Sequence, residues 1–200
     1  MAKARPITGL DSQAPTSRNA RAILQQRLDE MYAYSPYVEN PNNIQELHDL
    51  RIATKRVRYT LELFEEFLPA HSKDFVAELT KLQDELGALH DSEVMLALLR
   101  QLLQQEHDRT QAQEHPPTRK AERGPVERRS ELLTPEMEHA VLYPAHASAL
   151  SVKERQGLVS FLQRQEQRRE QSHALFRQHW EKLEQRQFYK AVLEMLSSTS

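Results

Sequence analysis

Apolar residues recur at intervals of three and four positions along most of the chain, which is the spacing of one face of an α-helix. This pattern predicts four helices in the first half of the chain, at about residues 17–32, 44–68, 72–89 and 91–103. The pattern returns at about residues 152–196, as one long helix or two. No convincing strand pattern is present, so we predict an all-α protein built as a helical bundle of five or six helices.

Residues that start, weaken or stop helices set the predicted boundaries. Ser17 is expected to cap the first helix, and Pro69 to end the second. Gly87 is expected to weaken the end of the third helix, with Asp91 as the N-cap of the fourth. Capping explains Asp91 better than a metal-ligand role beside His90, because such sites need further histidines and aspartates from other helices.

Three segments fall outside the helical pattern. Residues 1–16 contain proline, serine and glycine without periodicity and are expected to be a flexible leader. Residues 104–131 offer almost no apolar side chains, so we expect a disordered insertion that interrupts a helical domain of residues 17–196. Residues 132–150 have some apolar content but two prolines, and their structure is left open.

Composition excludes several classes of protein. The absence of cysteine rules out disulfides, zinc–thiolate sites and thiol catalysis. No apolar run is long enough to span a membrane, and the N-terminus lacks the apolar centre of a signal peptide, so we expect a cytoplasmic protein with no membrane partner. The 27 basic and 29 acidic residues give a net charge of −2, so any affinity for a polyanion must come from local clustering.

Positive charge is concentrated in the segment HDLRIATKRVRYTLELF, residues 48–64. Successive residues of an α-helix are about 100° apart, so four of these side chains fall within an arc of about 80°. We call this set the basic stripe: His48, Arg51, Lys55 and Arg58. Arg56 and Tyr59 flank it. The apolar residues of the segment lie on another side of the helix, at Leu50, Val57, Leu61 and Phe64.

The basic stripe predicts an anion-binding surface. Like charges three and four residues apart disfavour an isolated helix, and a merely solvated face usually alternates charges, as residues 73–85 do. A row of cations at steps of about 5 Å matches successive phosphates of an extended polyanion. A solvated surface face remains the alternative. His48 is expected to act as a cation, as a neutral donor or as a packing residue.

Two stretches resemble the CHAD domain, a histidine-containing α-helical domain. They are LHDLRIATKRVRYTLELFEEFLP and LTKLQDELGALHDSEVMLALL. The positions of the first stretch that match the family pattern are His48, Arg51, Lys55, Arg56, Arg58, Tyr59, Glu62 and Phe64. Those of the second are Leu82, Gln83, Leu86, Gly87 and Asp91.

The resemblance implies helical bundles with a basic groove or channel that binds inorganic polyphosphate without catalysis. The residues carried over as the binding site are His48, Arg51, Lys55, Arg56, Arg58 and Tyr59. Secondary candidates for the same site are Arg18, Arg21, Arg27, Lys81, Arg164 and Arg168. No cofactor, protein-bound metal or catalytic residue is expected, although divalent cations would accompany the ligand as counterions. A homodimer would supply a second basic wall, because only one clear copy of the motif is present. Polyphosphate binding would also associate the protein with polyphosphate granules.

Two other classes of function stay open. A helical module that binds the phosphodiester backbone of nucleic acid would also suit a basic groove, with Tyr59 as the aromatic residue beside it. A phosphate-transferring or hydrolysing enzyme would need a convergent carboxylate cluster for a divalent metal, and none stands out. Aromatic residues near the C-terminus, including Phe176 and Trp180, are expected to be core rather than a stacking platform for bases.

Overall fold

The structure, a computed structural model, describes residues 4–114 and 150–197. Five α-helices account for most of these residues: α1 Thr16–Tyr32, α2 Ile44–Leu63, α3 Ser72–Glu114, α4 Val152–Gln185 and α5 Phe188–Ser197. Short 3-10 helices follow α1 and α2, at Ser35–Tyr37 and Glu65–Phe67. The described ranges contain no strand, and the all-α prediction is confirmed.

The chain divides into two compact units by its internal contacts. The first unit comprises the chain up to His90 and from Glu170 onward, and the second runs from Asp91 to Arg169. The long helices α3 and α4 each contribute to both. In the second unit Leu96 and Leu99 are buried, and Arg100 forms an exposed ion pair with Glu166 at 2.9 Å.

The core of the first unit is formed by the apolar faces of all five helices. Most of the apolar positions predicted from periodicity are buried there. They include Leu24, Leu28, Leu47, Leu50, Val57, Leu61, Leu79, Leu82, Leu86, Phe176, Trp180, Leu183 and Phe188. Phe176 is wholly inaccessible to solvent, and the prediction that the C-terminal aromatic residues are core is confirmed.

Helix α2 is shorter than the sequence pattern indicated. It ends at Leu63, and the predicted end at Leu68 is wrong. Leu68 is extended, with φ −115° and ψ 152°, because the ring of a following proline disfavours helical backbone at the preceding residue. Between the end of α2 and Leu68 the chain forms the 3-10 helix Glu65–Phe67.

Helix α3 is continuous, so the predicted break after Leu89 is wrong. Gly87 and Asp91 both lie inside Ser72–Glu114, and Asp91 caps nothing. Glycine in a helix costs only about 1 kcal/mol, which the apolar rows packed on either side of it outweigh. The helix also includes residues 104–114, the first part of the predicted insertion. Residues 115–131 and most of the ambiguous segment 132–150 lie outside the described residues.

The two ends of the chain differ from the predicted boundaries in detail. Helix α1 begins at Thr16 after Pro15, so Ser17 lies inside the helix and is not its cap. Residues 4–15 contain no helix or strand and hydrogen-bond to α1, with Arg5 N donating to Glu30 Oε1 at 2.9 Å. At the other end the pattern of residues 152–196 resolves into two helices. Gln187, with φ 53°, is the left-handed residue that separates them.

The described helices are not apolar over the length that a membrane crossing requires.

Candidate functional site

The basic stripe lies along helix α2 in the first unit. Lys55 is exposed, whereas His48, Arg51 and Arg58 are half-buried. Partial burial matters because a cation removed from bulk water interacts more strongly with a nearby anion. The four residues of the stripe therefore differ in their exposure and do not form a freely solvated face.

The stripe faces helix α3 at two points. The imidazole rings of His48 and His90 are 4.6 Å apart between centroids and tilted by 40°. A Cβ atom on Gly87 would lie 3.9 Å from Arg51 Nε, so the arginine side chain lies against this glycine. Moving three residues forward on α2 corresponds to moving three residues back on α3, as expected for antiparallel helices. We call this region the α2–α3 contact.

Three buried nitrogen atoms of the stripe have no hydrogen-bond partner. They are His48 Nδ1, Arg51 Nε and Arg58 Nε. The nearest acid to Arg58 is Glu62, whose Oε1 lies 3.8 Å from Arg58 Nε, beyond hydrogen-bonding distance. A buried donor without a partner costs about 1–3 kcal/mol. Binding of an anion would stabilise this row, because the anion's oxygen atoms would accept hydrogen bonds from it.

Tyr59 lies beside the stripe and is 47% exposed. Arg58 Cζ lies 4.7 Å from the ring centroid and Lys55 Nζ lies 5.4 Å from it. Both distances are in the range of cation–π attraction, which restricts where the two cations lie. Tyr59 thus contacts two cations of the stripe, consistent with the flanking position predicted for it.

Arg56 is half-buried on α2 and acts electrostatically on Tyr34. Burial raises the pKa of Tyr34, with Asp49 adding to the rise and the Arg56 guanidinium opposing it. Arg56 therefore acts on the surface near the Ser35–Tyr37 turn, in keeping with its predicted position off the stripe.

The electrostatics of His48 favour a neutral ring. Burial lowers the pKa of His48 from its ordinary value; the Asp49 carboxylate opposes this, and the Arg51 guanidinium adds to it. His48 consequently requires a lower pH, or a nearby anion, to become a cation.

Helix α3 contributes three residues that the sequence-based site did not include. Gln83, Gly87 and His90 are spaced four and three residues apart and share one face of the helix. Gln83 Oε1 is buried without a hydrogen-bond partner. All three lie in the quoted LTKLQDELGALHD stretch, so the signal was present. The sequence alone does not predict the register of α3 along α2, which brings this face against α2.

The opposite face of α3 holds a separate polar cluster. His179 of α4 is buried, with Nδ1 2.8 Å from Glu85 Oε2 and Nε2 2.9 Å from Glu78 Oε2. Glu78 and Gly87 are nine residues apart, which places them about 180° from each other on the helix. Lys81 is exposed and lies about 120° around α3 from Gly87. This secondary candidate is therefore off the face that meets α2.

The remaining secondary candidates lie on α1 and on α4. Arg27 is half-buried and pairs with Glu30 at 2.7 Å, and its guanidinium also donates to Arg5 O. Arg18 is exposed on α1, while Arg21 is half-buried there. Two others belong to the second unit, where both are exposed: Arg164 and Arg168.

Metal-ligating side chains do not converge anywhere in residues 4–114 and 150–197. No group of three or more histidines, aspartates or glutamates in these ranges is placed to hold a metal ion.

Comparison with protein families gives a match for the N-terminal half of the chain. Residues 2–100 match the family model of the CHAD domain. Residues 2–100 belong to the CHAD domain family. The resemblance drawn from the sequence is confirmed, and the CHAD match covers the whole basic stripe and the α2–α3 contact. No curated protein and no solved structure matches the chain.

Proposed function

We propose that this chain binds inorganic polyphosphate through the basic stripe, without a catalytic step of its own. The observation that carries the proposal is the row of half-buried cations on α2 whose Arg51 Nε and Arg58 Nε atoms have no hydrogen-bond partner. Membership of residues 2–100 in the CHAD family supports it, because polyphosphate binding is associated with that family.

The spacing of the stripe suits a linear chain of phosphates. Arg51, Lys55 and Arg58 are separated by four and three residues, which is about 4.5–6 Å along the helix axis. Neighbouring phosphates of polyphosphate share a bridging oxygen and lie closer together than this, so successive cations of the stripe would meet phosphates that are not immediate neighbours. Each cation can therefore meet a different phosphate instead of competing for one.

Arginine and lysine contribute differently to such a site. The planar guanidinium donates two parallel hydrogen bonds to a phosphate, and charge-assisted bonds of this kind are about twice as strong as neutral ones. Arg51 and Arg58 are the half-buried members and would fix the ligand. Lys55 is exposed between them and would add charge without requiring a fixed orientation of the phosphate.

The proposal assigns no chemistry beyond binding. The stripe residues neutralise phosphate oxygens, but a hydrolase or transferase would also need a group that activates water or accepts the phosphoryl group. Two carboxylates follow the stripe along the chain: Glu62 lies near Arg58, and Glu65 pairs with Lys73 at 2.9 Å. These acids would repel a polyanion and so limit how far it extends past Arg58.

A titration against three polyanions tests the class of ligand. Long-chain polyphosphate, single-stranded RNA and duplex DNA are compared at equal phosphate concentration and about 0.15 M salt, because affinities of this kind depend strongly on ionic strength. The proposal predicts that polyphosphate binds more tightly than either nucleic acid. Tighter binding of RNA or DNA would instead indicate a nucleic-acid-binding module with Tyr59 as a stacking residue.

A further inference from the structure

We propose that His90 is a further anion-binding residue and that, with His48, it couples ligand binding to proton uptake. The inference rests on the proposed polyphosphate function and extends it to regulation by pH. It arises from the contact of two imidazole rings that different helices bring to one end of the basic stripe.

The geometry places both rings within reach of one ligand. Their centroids are 4.6 Å apart, a separation that one extended anion can span. His48 Nδ1 is buried without a hydrogen-bond partner. Both residues are half-buried, which strengthens any charge interaction made there.

The surrounding charges determine when the pair becomes cationic. On α2 the Arg51 guanidinium disfavours a proton on His48, whereas the Asp49 carboxylate favours it. On α3 the His90 ring contacts His48, and a second imidazolium at this distance would repel the first. Without a ligand the pair therefore resists double protonation. A polyphosphate segment bound beside Arg51 would reverse the balance, because its oxygens stabilise every cation in contact with them.

The consequence is a defined sign of pH dependence. If the bound complex holds more protons than the free components, affinity rises as the pH falls. The increase is limited to about tenfold per pH unit for each proton taken up. The effect is expected around and below the ordinary imidazole pKa of about 6.5, and it disappears above about pH 8.

The test is a series of binding measurements on the full chain from pH 5.5 to 8 at constant ionic strength. Long-chain polyphosphate is the probe, since its titrating end groups are few relative to its inner phosphates. Wild type is compared with His90→Asn, His48→Gln and the double variant. His71→Asn serves as the matched control, because His71 is an exposed histidine that contacts Phe75 and lies outside the stripe. Calorimetry in two buffers of different ionisation enthalpy counts the protons taken up.

The expected result is that wild type and His71→Asn take up protons and bind several-fold more tightly at pH 5.5 than at pH 8. His90→Asn should take up fewer protons than wild type and lose most of this gain in affinity. Unchanged proton uptake in His90→Asn would overturn the inference and leave polyphosphate binding itself intact. Absence of polyphosphate binding by wild type at every pH would overturn both proposals.

Discussion

Arg51 of α2 lies against Gly87 of α3, with the arginine Nε 3.9 Å from the point where a Cβ atom at position 87 would stand. Gly87 lies within the long helix α3. The residue leaves room for a cation of the neighbouring helix to lie close to the backbone. A larger side chain would compete with the arginine for that space.

Replacing Gly87 by alanine should stabilise the protein without changing its affinity for polyphosphate. The added Cβ meets no atom closer than ordinary van der Waals contact, and alanine favours helix over glycine by about 1 kcal/mol. Urea denaturation should therefore show a rise in unfolding free energy of up to that amount. Gly87→Leu should instead displace Arg51 and weaken polyphosphate binding. Equal affinities for Gly87→Leu and wild type would contradict the role given to this contact.

Arg27→Ala should lower the unfolding free energy and leave the affinity for polyphosphate unchanged. Its guanidinium satisfies the buried Glu30 carboxylate, and both side chains are largely shielded from solvent. Arg27→Ala would leave that carboxylate with the Arg5 backbone N–H but without its charged partner, at a cost of about 1–3 kcal/mol. Chemical denaturation measures this cost, and polyphosphate titration should show unchanged affinity. A loss of affinity with unchanged stability would place Arg27 in the binding site.

His179 should be a structural residue of the first unit. It bridges Glu78 and Glu85 from a buried position, on the side of α3 opposite Gly87. His179→Ala removes the shared partner of two carboxylates and should lower the unfolding free energy by about 1–3 kcal/mol. His71→Ala, at an exposed histidine, provides the comparison in the same denaturation experiment. Equal stability of the two variants would show that the bridge contributes little.

The ligand-free protein should lose stability at mildly acidic pH through His48. Burial lowers the pKa of this residue, so the unfolded chain, with an ordinary imidazole pKa of about 6.5, binds the proton more readily than the folded protein does. The contribution of neutral His48 to the unfolding free energy is complete above the unfolded-state pKa and declines as the pH falls below that value. Unfolding free energies of wild type and His48→Gln at pH 8 and pH 5.5 provide the check. The loss on acidification should be smaller in the variant, and an equal or larger loss would contradict this assignment.

Periodicity was sufficient for the parts of the fold that depend on local burial. The apolar spacing of α2 identified Leu50, Val57 and Leu61 as core because a helix buries one face whatever it packs against. The same reasoning failed at Gly87 and Asp91. Residues that weaken or cap a helix in isolation do not interrupt one that is stabilised by packing on several sides.

Only part of the candidate site could be predicted from the sequence, for a related reason. The basic stripe lies on one helix, and its arc follows from residue spacing alone. His90 and Gln83 are candidates for the site because of the register between α2 and α3, which depends on contacts distant in sequence. Neither helical periodicity nor charge patterning carries that information.

The central claim is tested most directly by titrating long-chain polyphosphate into two variants with equal loss of charge. One is Arg51→Ala/Lys55→Ala/Arg58→Ala. The other is Lys153→Ala/Lys182→Ala/Lys190→Ala, which removes three exposed lysines from α4 and α5. Loss of three charge-assisted contacts should weaken binding by the stripe variant at least about hundredfold, whereas the control should remain close to wild type. An equal loss of affinity in both variants would contradict the claim that the basic stripe is the polyphosphate site.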